Sequence, residues 1–361
     1  MVDSPPQSAG VLSRNDILAW PKADLHCHLD GSMRLSTLLE LATEQGKLDL
    51  LPASTESELT EILKTIDASE TLESYLSWFR YTIPVMQTAA ALERIAFELA
   101  EDNAAENVRY LEVRFAPILC TRENLSLERV LEAVRAGLQR AEDKYPIIAR
   151  IVVCGLRDRM ESASLMQAEI AVKLRNKGVV AFDLAGGEAG NPPKHHLHAF
   201  YYARNNLLNL TVHAGESWGP DSIRQAVFYC GAHRIGHGIT LGQDPELMQY
   251  FVDHQIPLEL CPTSNVQTKV VASFEDHPIR AFVDAGVPVT VNTDNRLFSR
   301  TTVTDELLKV HTRCGVGAKD LREVALNGFR YAFLHWERKQ ALLREVTLDM
   351  PMGPSSHSPV W

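Results

Sequence analysis

At 361 residues, 45% hydrophobic and 23% charged, the chain has an ordinary globular composition with enough material for a large core. A formal net charge of −10 without any basic block argues against nucleic acid or anionic membranes as partners and leaves small neutral substrates open. No apolar run reaches the roughly 18 residues of a membrane span, and six scattered cysteines (27, 120, 154, 230, 261 and 314) without a C-x-x-C pair read as the reduced, buried thiols of a cytoplasmic protein.

In chain order, residues 1–12 carry neither a basic nor an apolar leader segment and read as a flexible tail. Eight short apolar runs follow, rich in β-branched and aliphatic residues, at 22–29, 108–116, 147–156, 179–185, 209–214, 233–237, 257–262 and 288–293. Helical patterns lie between most of them. Val130, Leu131, Val134 and Leu138 recur at helical spacing within Leu127–Glu142, the stretch 221–229 follows a Gly-Pro break, and 244–254 opens on Asp-Pro, a good helix start. Strand and helix alternating eight times predict an α/β fold, a (β/α)8 TIM barrel in one domain. Residues 30–107 are too many for one crossover and predict a helical insertion after the first strand. Within it Leu72, Tyr75, Leu76 and Phe79 share one face of a helix expected over 71–79. An insertion there lies on the catalytic face of a barrel and is a natural lid. The stretch 350–361 reads as a second flexible tail, and the sequon at Asn209 falls inside a buried strand.

The residues that carry chemistry sit where these strands end. His26 and His28 are two apart, so on a strand both face the barrel interior, as a pair of zinc-type imidazole ligands would. His213 ends the fifth strand as a third ligand, and Gly215 lets the chain turn so that Glu216 reaches the same cavity as a proton carrier. His237 stands between Gly236 and Gly238, a sign of close backbone approach rather than of a packed core histidine. Asp294 at the end of the eighth strand either completes the metal site or accepts a proton from water. His195, His196 and His198 follow Pro192-Pro193 and read as a surface loop or helix start, and the remaining histidines have no partner pattern. Gly315-Val-Gly317 is not a phosphate loop, and no serine nucleophile elbow is present.

Taken in order, Lys22-Ala-Asp-Leu-His-Cys-His-Leu-Asp-Gly31, Val108-Arg-Tyr-Leu-Glu-Val-Arg-Phe115, Phe182-Asp-Leu-Ala-Gly186, His213-Ala-Gly-Glu216, Arg234-Ile-Gly-His-Gly238, Cys261-Pro-Thr-Ser-Asn265 and Asn292-Thr-Asp294 resemble the adenosine deaminase family of metal-dependent amidohydrolases over about residues 20–340. The H-x-E and P-C-x-x-C pattern of the cytidine-type deaminases is absent. The resemblance implies one zinc ion per chain on His26, His28, His213 and Asp294, and water activated there to attack purine C6. It implies that His237 and Asp294 hold that water and take its proton, while Glu216 protonates N1. It also implies a purine nucleoside as substrate, with the Gly186 backbone N–H on N3, Asp30 on the ribose 5′-hydroxyl and Leu72, Tyr75, Leu76 and Phe79 as an apolar gate; His28 borders the same pocket. Where many members of the family carry a second aspartate, this chain has Asn295, whose amide donates to purine N7 without needing an acidic proton. Adenosine and 2′-deoxyadenosine are therefore the expected substrates. The alternatives are a 6-aminopurine nucleoside with a larger 5′ group such as aminodeoxyfutalosine, free adenine, or a catalytically silent nucleoside-binding protein on the same fold.

Overall fold

Each of the eight apolar runs becomes a strand in the computed structural model, which describes residues 11–350. The strands are β1 (Lys22–His28), β2 (Val108–Phe115), β3 (Ile148–Leu156), β4 (Val179–Ala185), β5 (Asn209–Ala214), β6 (Arg234–His237), β7 (Leu258–Leu260) and β8 (Val289–Val291). They pair in parallel in the order of the sequence, and with helices alternating between them they form the expected (β/α)8 barrel. Closure between β8 and β1 runs through a single bridge, Cys27 with Asp294. The His28 N–H donates to the Asp294 carbonyl (2.6 Å) and the Asp294 N–H to the His26 carbonyl (2.8 Å). Side chains complete the seam: the Leu25 N–H donates to Asn292 Oδ1 (2.9 Å) and Thr293 Oγ1 to Asp24 Oδ2 (2.6 Å).

The helices obey their local signals. Leu127–Lys144 is capped by Ser126 Oγ, buries Val130, Leu131, Val134 and Leu138 on one side, and stops before Pro146. Pro245–His254 starts on a proline capped by Asp244 and ends on Gln255 in the left-handed region (φ 53°). The insertion after β1 differs from expectation in two ways. Its last helix, Ala89–Ala105, packs on β2 and on Leu127–Lys144 and is the barrel's own first crossover helix. The helix expected over 71–79 is interrupted at Ser77 and Trp78 between Leu72–Leu76 and Phe79–Thr82; both residues keep right-handed helical dihedrals, but the Trp78, Arg80 and Tyr81 N–H groups bond three residues back, as in a 3₁₀ turn.

The expected tails lie outside the described residues except at their inner edges. There the Leu12 N–H donates to His311 Nε2 (3.1 Å) and Met350 is buried. His196 is buried, not on the surface, whereas His195 and His198 are exposed. All six cysteines are free and buried, and Asn209 in β5 donates to the Val180 carbonyl (2.8 Å). Among the described residues, no helix is long and apolar enough to cross a membrane.

Candidate active site

Twelve of the thirteen singled-out residues, all but His26, line one cavity of about 230 Å³ at the C-terminal ends of the strands. His26 is fully buried behind them. His28 Nε2 lies 3.1 Å from His213 Nε2, and Asp294 Oδ1 lies 3.4 Å from Nε2 of both His26 and His28. His26 Nε2 has no hydrogen-bond partner although it is buried. A buried imidazole nitrogen with nothing to bond, beside two further imidazole nitrogens and a carboxylate oxygen, is a donor set that a cation would satisfy. Ligand atoms around a tetrahedral ion with bonds of about 2.0–2.1 Å stand about 3.4 Å apart, so the residues fit a divalent metal. Cys261 brings a thiol into the same cluster, its Sγ within 4.8 Å of donor atoms of His26 and Asp294.

The opposite ring nitrogens face carboxylates. His26 Nδ1 is 3.0 Å from Glu259 Oε2 and His213 Nδ1 is 3.0 Å from Asp183 Oδ2. Such partners hold each ring with Nε2 inward and increase its strength as a ligand. Arg114 bridges the two, with Nη1 on Asp183 Oδ2 (2.9 Å) and Nη2 on Glu259 Oε2 (2.7 Å). Glu259 also accepts from Thr211 Oγ1 (2.9 Å) and Arg234 Nε (2.6 Å), and Arg234 pairs onward with Glu112. The contacts of Arg114 with Asp183 and Glu259, of Thr211 with Glu259 and of Arg234 with Glu112 join strands that are not neighbours, so they cross the barrel lumen. Burial and Arg114 push the His26 proton affinity down, but the hydrogen bonds to Asp294 and Glu259 outweigh them and leave it raised. Burial keeps His28 well below the ordinary histidine range and lowers His213, so both present the neutral ring a metal requires.

Glu216 lies 3.6 Å from His237 Nε2. Burial, with Asp294 and Glu188 as neighbouring negative charges, raises its proton affinity well above the carboxylate range, so it stands as a neutral acid. Its loop is held by Glu188, whose buried carboxylate accepts from the N–H groups of Gly215 (2.7 Å), Glu216 (2.9 Å), Ser217 (2.5 Å) and Trp218 (3.2 Å). His237 and Asp294 both adopt left-handed backbone conformations (φ 60° and 59°). For residues other than glycine this strain is of order 1–3 kcal/mol and gathers at working sites. Gly236 meets the expected close approach, since a Cβ there would fall 3.0 Å from His26 Cε1.

Leu72 and Tyr75 are buried, and Leu76 and Phe79 half-buried, against the cavity. Burial pushes the Asp30 carboxyl up to about 7, and its Oδ1 has no partner. Asn295 Oδ1 is packed so closely on Gly31 that a Cβ there would lie 1.8 Å away. Sequence reasoning gave no role to Asp183, Glu259, Arg114, Glu188 or Asn265. The signal for the first three was present, since polar residues alternate with apolar ones in β1, β2, β4 and β7. Glu188 and Asn265 act across loops and carry no periodic signal.

A family model described as "Adenosine deaminase" matches residues 21–348. A protein of Mycobacterium sp. (strain JLS) named "Adenosine deaminase" is 43% identical over 351 residues, covering 93% of this chain and 96% of that protein. Among solved structures, an adenine deaminase from Arthrobacter aurescens aligns with a TM-score of 0.83 at 28% identity, covering 91% of this chain and 98% of that one. An Arabidopsis N6-mAMP deaminase aligns with a TM-score of 0.82 at 29% identity, covering 92% and 99%. Matched over nearly its whole described length, the chain is a metal-dependent hydrolytic deaminase and belongs to the adenosine deaminase family.

Proposed function

We propose that this enzyme converts adenosine and 2′-deoxyadenosine to inosine and 2′-deoxyinosine with release of ammonia, in the cytoplasm, with one zinc ion per chain. The observation that carries this reading is the meeting, at the floor of one pocket, of His28, His213 and the Asp294 carboxylate with His26 buried behind them and a neutral Glu216 acid beside them. His26, His28, His213 and Asp294 would hold the zinc, which when bound would lower the pKa of a water toward about 7. The protein's own groups do the rest. Glu216 gives its proton to purine N1, which leaves C6 open to attack. His237 and Asp294 share the holding of the attacking water and the removal of its proton. The Gly186 N–H, at the end of β4, binds N3, and the Asn295 amide donates to N7.

The ribose end favours a free nucleoside. The unpartnered Asp30 Oδ1 suits a 5′-hydroxyl, and a 5′-phosphate or bulky 5′ group would meet Asp30 and Asp158, with Arg159 the one cation among the lining residues. Leu72, Tyr75, Leu76 and Phe79 form the lid over the nucleoside; free adenine would leave much of this apolar cover idle. The reduced state of all six buried thiols supports the cytoplasm. Turnover of adenosine, aminodeoxyfutalosine and adenine at equal concentration, with metal content measured on the same preparation, tests the reading. Adenosine should be fastest with about one zinc per chain. If it were the poorest by orders of magnitude, or if none of the three turned over, the proposal would be wrong.

A further inference from the structure

His277, which has no partner pattern in the sequence, is buried and joins a chain of hydrogen bonds that ends at His237. The chain starts from a group with no choice of role. The backbone N–H of Ile279 can only donate, and it points at His277 Nδ1 (3.2 Å). Burial lowers the His277 pKa to about 4, so the ring is neutral. A neutral imidazole that accepts on Nδ1 carries its proton on Nε2. That Nε2 lies 3.4 Å from Asn265 Oδ1, which also accepts from the Cys261 N–H (3.3 Å). Two donors on one side of the Asn265 amide fix which end is oxygen. Its Nδ2 is then left to donate to His237 Nδ1 (3.1 Å). With Nδ1 accepting from that amide N–H, His237 carries its proton on Nε2, the nitrogen that faces Glu216.

We propose that His277 and Asn265 are positioning residues that lock His237 in the tautomer with the proton on Nε2, so that His237 donates a hydrogen bond to the attacking water and Asp294 alone takes the water's proton. This rests on the reading above, in which His237 faces that water, and it divides a task which that reading leaves shared. The lock works through geometry. With Nδ1 facing an N–H of Asn265, His237 has no room for a second proton, and proton transfer to it would set two donors against each other.

The test uses the zinc-loaded enzyme labelled with ¹⁵N-histidine, with the His237 resonances identified by their loss in His237→Gln. Nδ1 should show an unprotonated, acceptor-type shift and Nε2 a proton-bearing one. His277→Phe removes the donor to Asn265 and should lower kcat about 10–100-fold, with KM and zinc content unchanged and mixed tautomers at His237. His277→Gln keeps an N–H donor in reach and should restore most of kcat. Asn265→Asp sets an acceptor against His237 Nδ1 and should reverse the tautomer, with a larger loss of about 10²–10⁴-fold. A wild-type His237 protonated on Nδ1 overturns the proposal, as do variants that change neither kcat nor the tautomer, or a His277→Gln no better than His277→Phe. Full turnover by His237→Gln would instead remove the underlying reading of the site.

Discussion

Two carboxyl groups that line one cavity are held in opposite states. Burial raises the proton affinity of both Glu216 and Asp294, but at Asp294 the neighbouring histidines outweigh it and hold the group ionised, whereas Glu216 gains further negative neighbours and stays neutral. Activity that needs the neutral Glu216 is present below its raised pKa and is lost as pH rises through it, so a pH–rate profile of kcat/KM should show a falling limb well above the ordinary carboxylate range. Glu216→Gln should cut kcat by about 10²–10⁴-fold and keep its zinc, because Glu216 is not among the proposed ligands. His213→Ala should lose the metal instead, as metal analysis of the two proteins would show. Glu216 was legible in the sequence because glycine and an apolar strand frame it. Glu188 was not, because its role is to accept from backbone groups that any residue supplies.

The proposed lid is held by apolar contacts more than by charge. The Phe298 ring meets Phe79 edge-on (5.0 Å between centroids) and Tyr75 likewise (6.3 Å). Tyr75 Oη also reaches Ser299 Oγ (3.3 Å), whose own hydroxyl donates to Gln267 Oε1 (2.9 Å). The Arg300–Asp67 ion pair that joins the lid to the loop after β8 is partly exposed and contributes little. Phe79→Ala removes cover that substrate and transition state feel alike. It should raise KM for adenosine about tenfold with kcat within about threefold, and lower stability by less than the 3–5 kcal/mol of a fully buried phenylalanine. Steady-state kinetics beside a denaturant melt would separate the two effects, and a fall in kcat with KM unchanged would count against a covering role. The four apolar positions were readable from their spacing. The tightening at Ser77 and Trp78 was not, because apolar spacing does not distinguish an α-helical turn from a 3₁₀ one.

Across the whole molecule, the barrel lumen is filled by charge as well as by apolar layers. Burial alone would push Asp183 and Glu259 up, but Arg114, with His213 on one side and Arg234 on the other, outweighs it and holds both well below the carboxylate range. Arg114→Leu would strand two buried anions and should cost about 3–5 kcal/mol. Denaturant unfolding of the metal-free protein checks this, and a loss below about 1 kcal/mol would show that the lumen tolerates the unpaired charges. The sequence by itself determined the eight strands, the barrel and the residues at the strand ends, because alternation, turn residues and apolar spacing are local properties of the chain. Only the tertiary structure decided which atoms of those residues meet. That Arg114 spans two carboxylates, that Glu188 gathers four N–H groups, and that Asn265 meets both His277 and His237 all depend on how strands and loops meet in the folded barrel. Closing β8 against β1 likewise brings together groups hundreds of residues apart, and no local pattern in the chain records it.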